Sequence, residues 1–161
     1  MAEPSGAELP SSNESLGVDA GVYVDSSALA KLYVPEAESE LLDAFLRGRQ
    51  GLTISELTIT EVLSAVARRK REGELRAKQA NEIRDAVLAD ADSGAFHRLD
   101  LNPDVHREAE RLLFTTDALP LRTLDALHIA LALSGAATHM LTFDRRMKEA
   151  ATHAGLHAIE L

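Results

Sequence analysis

The chain has 161 residues, long enough for one domain with a buried core and too short for two large ones. Its composition, 45% hydrophobic and 27% charged with no cysteine, is that of a globular protein and excludes disulfides, thiolate metal ligands and cysteine nucleophiles together. A net charge of −9 argues against a broad basic surface for phosphates, although Glu3, Glu8, Glu14 and Asp19 put four of those charges in the first twenty residues, which hold no Lys or Arg.

Residues 1–20 are rich in Ser, Gly, Glu and Ala without apolar periodicity, which predicts a flexible acidic extension ahead of one domain over 21–161. The N-terminus has neither the basic start nor the apolar core of a secretory signal, and the apolar stretch 126–137 is broken by His128. A cytoplasmic location without a membrane span is expected.

From Gly21 onward, strand and helix patterns alternate. Val22-Tyr23-Val24 predicts a first strand, residues 26–33 a helix that Ser26 can cap, and 37–47 a further helix. Residues 52–54 form a second short strand, and Thr58-Ile59-Thr60-Glu61 opens a helix running to about Arg71, with Gly73 as its stop. A helix over 74–89 and a strand over 96–101 follow, then a helix over 103–114 that begins at proline and an apolar helix over 123–133 ended by Gly135. A strand over 138–143, a helix over 145–154 and a strand over 157–161 close the chain. The alternation predicts an α/β fold, a central parallel sheet covered by helices on both faces, because parallel neighbours need crossover connections. The helical pair between 58 and 89 has no strand inside it, and suggests a lid or an interaction surface.

Four carboxylates stand out by position. Asp25 and Asp144 each follow an apolar strand pattern, the edge where ligands gather in open α/β sheets, although a lone aspartate there is more often a helix cap. Asp125 lies inside Leu124-Asp125-Ala126-Leu127-His128-Ile129, where a buried carboxylate needs a cation, either an arginine such as Arg122 or a metal. Glu61 sits beside an apolar helix face, where the helix N-terminus or a metal would account for it. Several anions share a pocket only when cations hold them, and with hard oxygen donors the cation is Mg²⁺ or Mn²⁺. One or two such ions could activate a water for in-line attack on a phosphodiester.

Val22-Tyr23-Val24-Asp25-Ser26-Ser27-Ala28-Leu29, Thr60-Glu61-Val62, Asp125-Ala126-Leu127-His128-Ile129-Ala130 and Leu141-Thr142-Phe143-Asp144 resemble, in order, the four motifs of PIN-domain nucleases of the VapC toxin type. The acids are separated by 36, 64 and 19 positions, and the likeness spans residues 22–161. The resemblance implies a three-layer PIN-like α/β/α fold, an acidic site of Asp25, Glu61, Asp125 and Asp144 holding Mg²⁺ or Mn²⁺, and endonucleolytic hydrolysis of RNA. Thr142 matches the family's hydroxyl residue two before the last acid and, with Ser26, would orient a carboxylate or water. It further implies a homodimer, expected through apolar faces around residues 29–46, and a cognate antitoxin that inserts a helix and a basic segment into the groove.

Arg68 and Arg69, on the helix of Glu61, and Arg145 and Arg146, after Asp144, are candidate contacts for RNA phosphates or simply charged surface. His128 is expected to support the acids or the core rather than to bind metal, and the remaining histidines show no zinc spacing. A catalytically silent PIN-like module that binds RNA or protein is the alternative from a different class. A phosphoaspartate phosphatase or receiver fits less well, because position 27 is Ser where such a phosphatase carries a second Asp.

Overall fold

The computed structural model describes residues 20–115 and 120–161, so the expected acidic extension lies, apart from Ala20, outside the described residues. Five parallel strands form one sheet in the order β3-β2-β1-β4-β5: β1 (Val22–Val24), β2 (Leu52–Ser55), β3 (His97–Leu99), β4 (His139–Leu141) and β5 (His157–Ile159). The helices are α1 (Ser26–Ala30), α2 (Ser39–Leu46), α3 (Glu56–Arg71), α4 (Ala77–Asp92), α5 (Pro103–Thr115), α6 (Thr123–Ser134) and α7 (Arg145–His153).

Alternation along the central strands divides the core into two layers. Val22, Val24, Ile54 and Leu141 pack with Leu29, Leu42, Ile59 and Val62 beneath the early helices. Tyr23 and Met140 face the other way, onto α5, α6 and α7. Helix α6 is apolar around its whole circumference and is buried from Ala126 to Ala132, as a helix enclosed by sheet and neighbours must be. Val87 and Ala91 of α4 are buried in the same cluster as Ile59 and Val62 of α3, so one face of the helical pair expected as a lid or an interaction surface packs into the core. Among the described residues no helix is long and apolar enough to cross a membrane.

Of the helix boundaries that differ from expectation, two bear on the site. Helix α1 ends at Ala30 rather than at 33, where Tyr33 and Val34 N–H groups both close on Ala30 O, because Pro35 disfavours helical backbone at the residue before it. Its cap is Asp25, with Ser26 its first helical residue. Helix α3 begins two residues before Thr58, since Ser55 Oγ accepts from Thr58 N at 3.1 Å and Thr58 Oγ1 accepts from Ser55 N at 3.4 Å. Glu61 therefore lies in the second turn, beyond the free N–H groups that could have explained its charge.

Candidate active site

From β1 the chain builds outward to β2 and β3, then returns to β4 on the opposite side of β1. The connections after β1 and β4 thus diverge, opening a crevice beyond the carboxyl ends of two adjacent parallel strands. Asp25 and Thr142 stand at those two ends. Asp25 N donates to Leu141 O at 3.1 Å, tying the strands together where the side chains emerge.

The Asp25 side chain is 2% exposed. Its Oδ1 accepts from Ser27 Oγ at 2.8 Å and Ala28 N at 3.0 Å, and its Oδ2 from Thr142 Oγ1 at 2.6 Å. Desolvation pushes its pKa up against the pull of these three donors. Thr142 Oγ1 in turn accepts from Asp144 N at 3.1 Å. Ser27, to which the sequence assigns no role in the site, is the clasp of this corner: its Oγ also accepts from Phe143 N at 2.8 Å.

Asp144 is exposed and caps α7, its Oδ1 accepting from Arg146 N at 2.8 Å and Met147 N at 3.2 Å. Asp125, in the first turn of α6, accepts through Oδ2 from Arg122 N at 3.2 Å and from the Arg146 guanidinium at 3.3 Å. The cation beside Asp125 is thus Arg146, while Arg122 contributes its backbone N–H. Glu61 meets His128 Nε2 through Oε2 at 2.5 Å. Burial pushes the Glu61 pKa up, but bonds from His128 and Ser26 outweigh it and hold the carboxyl below its ordinary range.

A cleft of about 440 Å³ opens between α1, α3 and the start of α7. Ser26, Glu61 and Asp144 line it together with Val62, Val66 and Phe143. A second cleft of about 270 Å³ continues past Glu61 to Arg68, Arg71 and Leu124. Arg68 therefore borders both. Arg69 pairs with Glu36 at 2.9 Å, and Arg145 lies 3.8 Å from Glu149, outside the lining of both clefts. The Arg146 guanidinium is turned to Asp125.

Among the described residues no three acidic or histidine side chains converge closely enough to cage an ion by themselves. The donor set nevertheless fits Mg²⁺ or Mn²⁺. It offers the hard carboxylate and hydroxyl oxygens such an ion prefers, and includes a buried carboxylate whose charge burial disfavours.

The family model described as PIN domain matches residues 22–152. Ribonuclease VapC46 of Mycobacterium tuberculosis is 34% identical over 145 residues, covering 87% of this chain and 97% of that protein. Among solved structures, M. tuberculosis VapC20, a toxin that cleaves the sarcin-ricin loop, superposes with a TM-score of 0.66 at 18% identity, over 81% of this chain and 95% of its own. A toxin–antitoxin complex from Klebsiella pneumoniae gives 0.56 at 17% identity, over 80% and 90%.

Proposed function

The chain belongs to the PIN-domain family, among the VapC ribonucleases, and from that premise we propose that it is a Mg²⁺- or Mn²⁺-dependent endoribonuclease serving as the toxin of a toxin–antitoxin pair. The observation that carries the reading is the buried Asp25 joined to Thr142 across the carboxyl ends of β1 and β4, with Glu61 and Asp144 lining one cleft.

Asp25, Glu61, Asp125 and Asp144 hold the cation, and the bound cation supplies Lewis acidity for phosphodiester hydrolysis. Thr142 and Ser27 orient the Asp25 oxygens, and Ser26 does the same for Glu61. Arg68 stands where a phosphate would enter either cleft. An RNA cleavage assay with Mg²⁺ or Mn²⁺ and with EDTA tests the proposal. Metal-dependent cutting that leaves 5′-phosphate and 3′-hydroxyl ends is expected, and cyclic phosphate ends would overturn it. Asp25→Asn and Asp125→Asn are each expected to abolish cutting while the fold persists, because charge is removed at nearly constant volume.

The antitoxin follows from the larger cleft, whose wall of Val34, Val62, Ala65 and Val66 suits an apolar helix face while its acids suit an arginine. Growth arrest on expression of the chain alone, relieved by its genomic neighbour in a co-purifying complex, is the expected result in the cytoplasm. A homodimer belongs to the same reading. Leu29 and Leu42 are buried in the chain's own core, so of that early region it is Leu41, 58% exposed, that a dimer would cover. Light scattering at micromolar concentration tests this, and a monomer would exclude it.

A further inference from the structure

A buried polar chain runs from β2 through the core to the cleft. Tyr23 is fully buried, and its hydroxyl lies 2.8 Å from Ser55 Oγ, 3.2 Å from Thr58 Oγ1 and 2.8 Å from His128 Nδ1. The other ring nitrogen of His128, itself 2% exposed, meets Glu61 Oε2 at 2.5 Å.

The chemistry of the groups orients this chain. An imidazole nitrogen facing an ionised carboxylate at that distance must carry a proton, since its lone pair would otherwise oppose those of the oxygen. In the neutral ring Nδ1 is then an acceptor, and the Tyr23 hydroxyl is placed to donate to it. Ser55 or Thr58 can donate to the Tyr23 oxygen in turn, so each hydroxyl proton has an acceptor.

We propose that Tyr23 and His128 are positioning residues for the acidic site: Tyr23 sets the His128 tautomer, and the His128 Nε2–H holds the Glu61 carboxylate fixed at the cleft. The proposal rests on the functional reading above, in which Glu61 helps to hold the cation. A glutamate on an unsupported helix face loses rotamer freedom when it binds an ion, whereas Glu61 is ordered beforehand by a ring locked between two hydrogen bonds. A histidine that merely fills the core would be replaceable by leucine with no effect on the cation.

The test combines Mn²⁺ titration of the full chain with the ¹⁵N shifts of the His128 ring, for wild type, Tyr23→Phe, His128→Leu and His128→Gln. Wild type is expected to show the Nε2–H tautomer, and Tyr23→Phe a mixture of tautomers with Mn²⁺ binding weakened several-fold. His128→Leu is expected to weaken binding by about tenfold or more, in the range seen when partners of metal ligands are removed. His128→Gln, whose side-chain N–H reaches the same carboxylate, should restore most of that loss, with RNA turnover following Mn²⁺ affinity at unchanged KM. An Nδ1–H tautomer in wild type would overturn the inference. So would wild-type Mn²⁺ affinity in folded His128→Leu, or in Tyr23→Phe, which removes one oxygen and carries the test should His128→Leu not fold. A wild-type chain that binds no Mn²⁺ would bring down the functional reading as well, whereas equal binding by wild type and variants brings down the inference alone.

Discussion

Asp25 is at once a helix cap, a strut between two strands and a buried anion, and these roles pull its energetics in opposite directions. Three donors favour the carboxylate, yet desolvation prevails and raises its pKa above the ordinary 3.8. A carboxyl with a raised folded-state pKa binds protons more tightly in the folded chain, so its contribution to stability is present below pH 3.8 and is lost as pH rises through the raised value. Glu61 acts in the other direction and lower in pH, its contribution being lost as pH falls below 4.5 through its depressed value. Metal-free Asp25→Asn is therefore expected to melt no lower than wild type at pH 7, and the difference between the two should shrink as pH falls toward 4. Melting curves across that range in EDTA would contradict the account if the variant lost stability most at pH 7. Ser27→Ala removes one donor from Asp25 and leaves Phe143 N without its partner, a loss of about 1–3 kcal/mol in denaturant unfolding. The four acids were legible because each interrupts an apolar pattern or ends one. Ser27 and Tyr23 were not, since their partners lie 116 and 105 positions away, where no local pattern can reveal them.

At the scale of elements, function depends on where α3 begins. Ser55 and Thr58 cap the helix and also solvate the buried Tyr23 hydroxyl, so the register of Glu61 and the support behind it are set by the same two side chains. Ser55→Ala should cost about 1–3 kcal/mol, more than an exposed cap, because it deprives the first turn and a buried phenol together. Equilibrium denaturation would set that sum aside if the loss were only a few tenths of a kcal/mol. Sequence placed the helix start at Thr58, where its periodicity becomes clean, and missed that Ser55 closes β2 and caps α3 in one residue. The last three strands, β3, β4 and β5, were read too long, whereas β2 runs one residue past its expected end. Residues 142 and 143 continue the apolar run of β4, but Thr142 turns its hydroxyl to Asp25 and Phe143 N turns to Ser27, so the backbone leaves the ladder after Leu141.

For the molecule as a whole, alternation of strand and helix announced a parallel sheet, whereas the order β3-β2-β1-β4-β5, which puts Asp25 beside Thr142, depends on packing of distant segments that share no local signal. The charge distribution carries the remaining prediction. A chain of net charge −9 acting on RNA has few cations to offer, and the clefts narrow the choice further. Lys31 is engaged by Glu36 at 2.5 Å and Glu38 at 2.9 Å, and Arg69 by Glu36, which leaves Arg68 and Arg71 as the basic residues opening onto the groove past Glu61. Two or three phosphate contacts release few counterions, so the slope of log affinity against log salt should be about −2 or shallower, at roughly −0.7 per contact for single-stranded RNA. Arg68→Ala should weaken binding evenly across sequences and flatten that slope by about 0.7. The measurement is RNA binding by Asp25→Asn, which is expected not to cut, over a range of KCl at fixed Mg²⁺. A slope steeper than about −5 would require a basic surface that these two clefts do not contain, and would move RNA recognition away from α3.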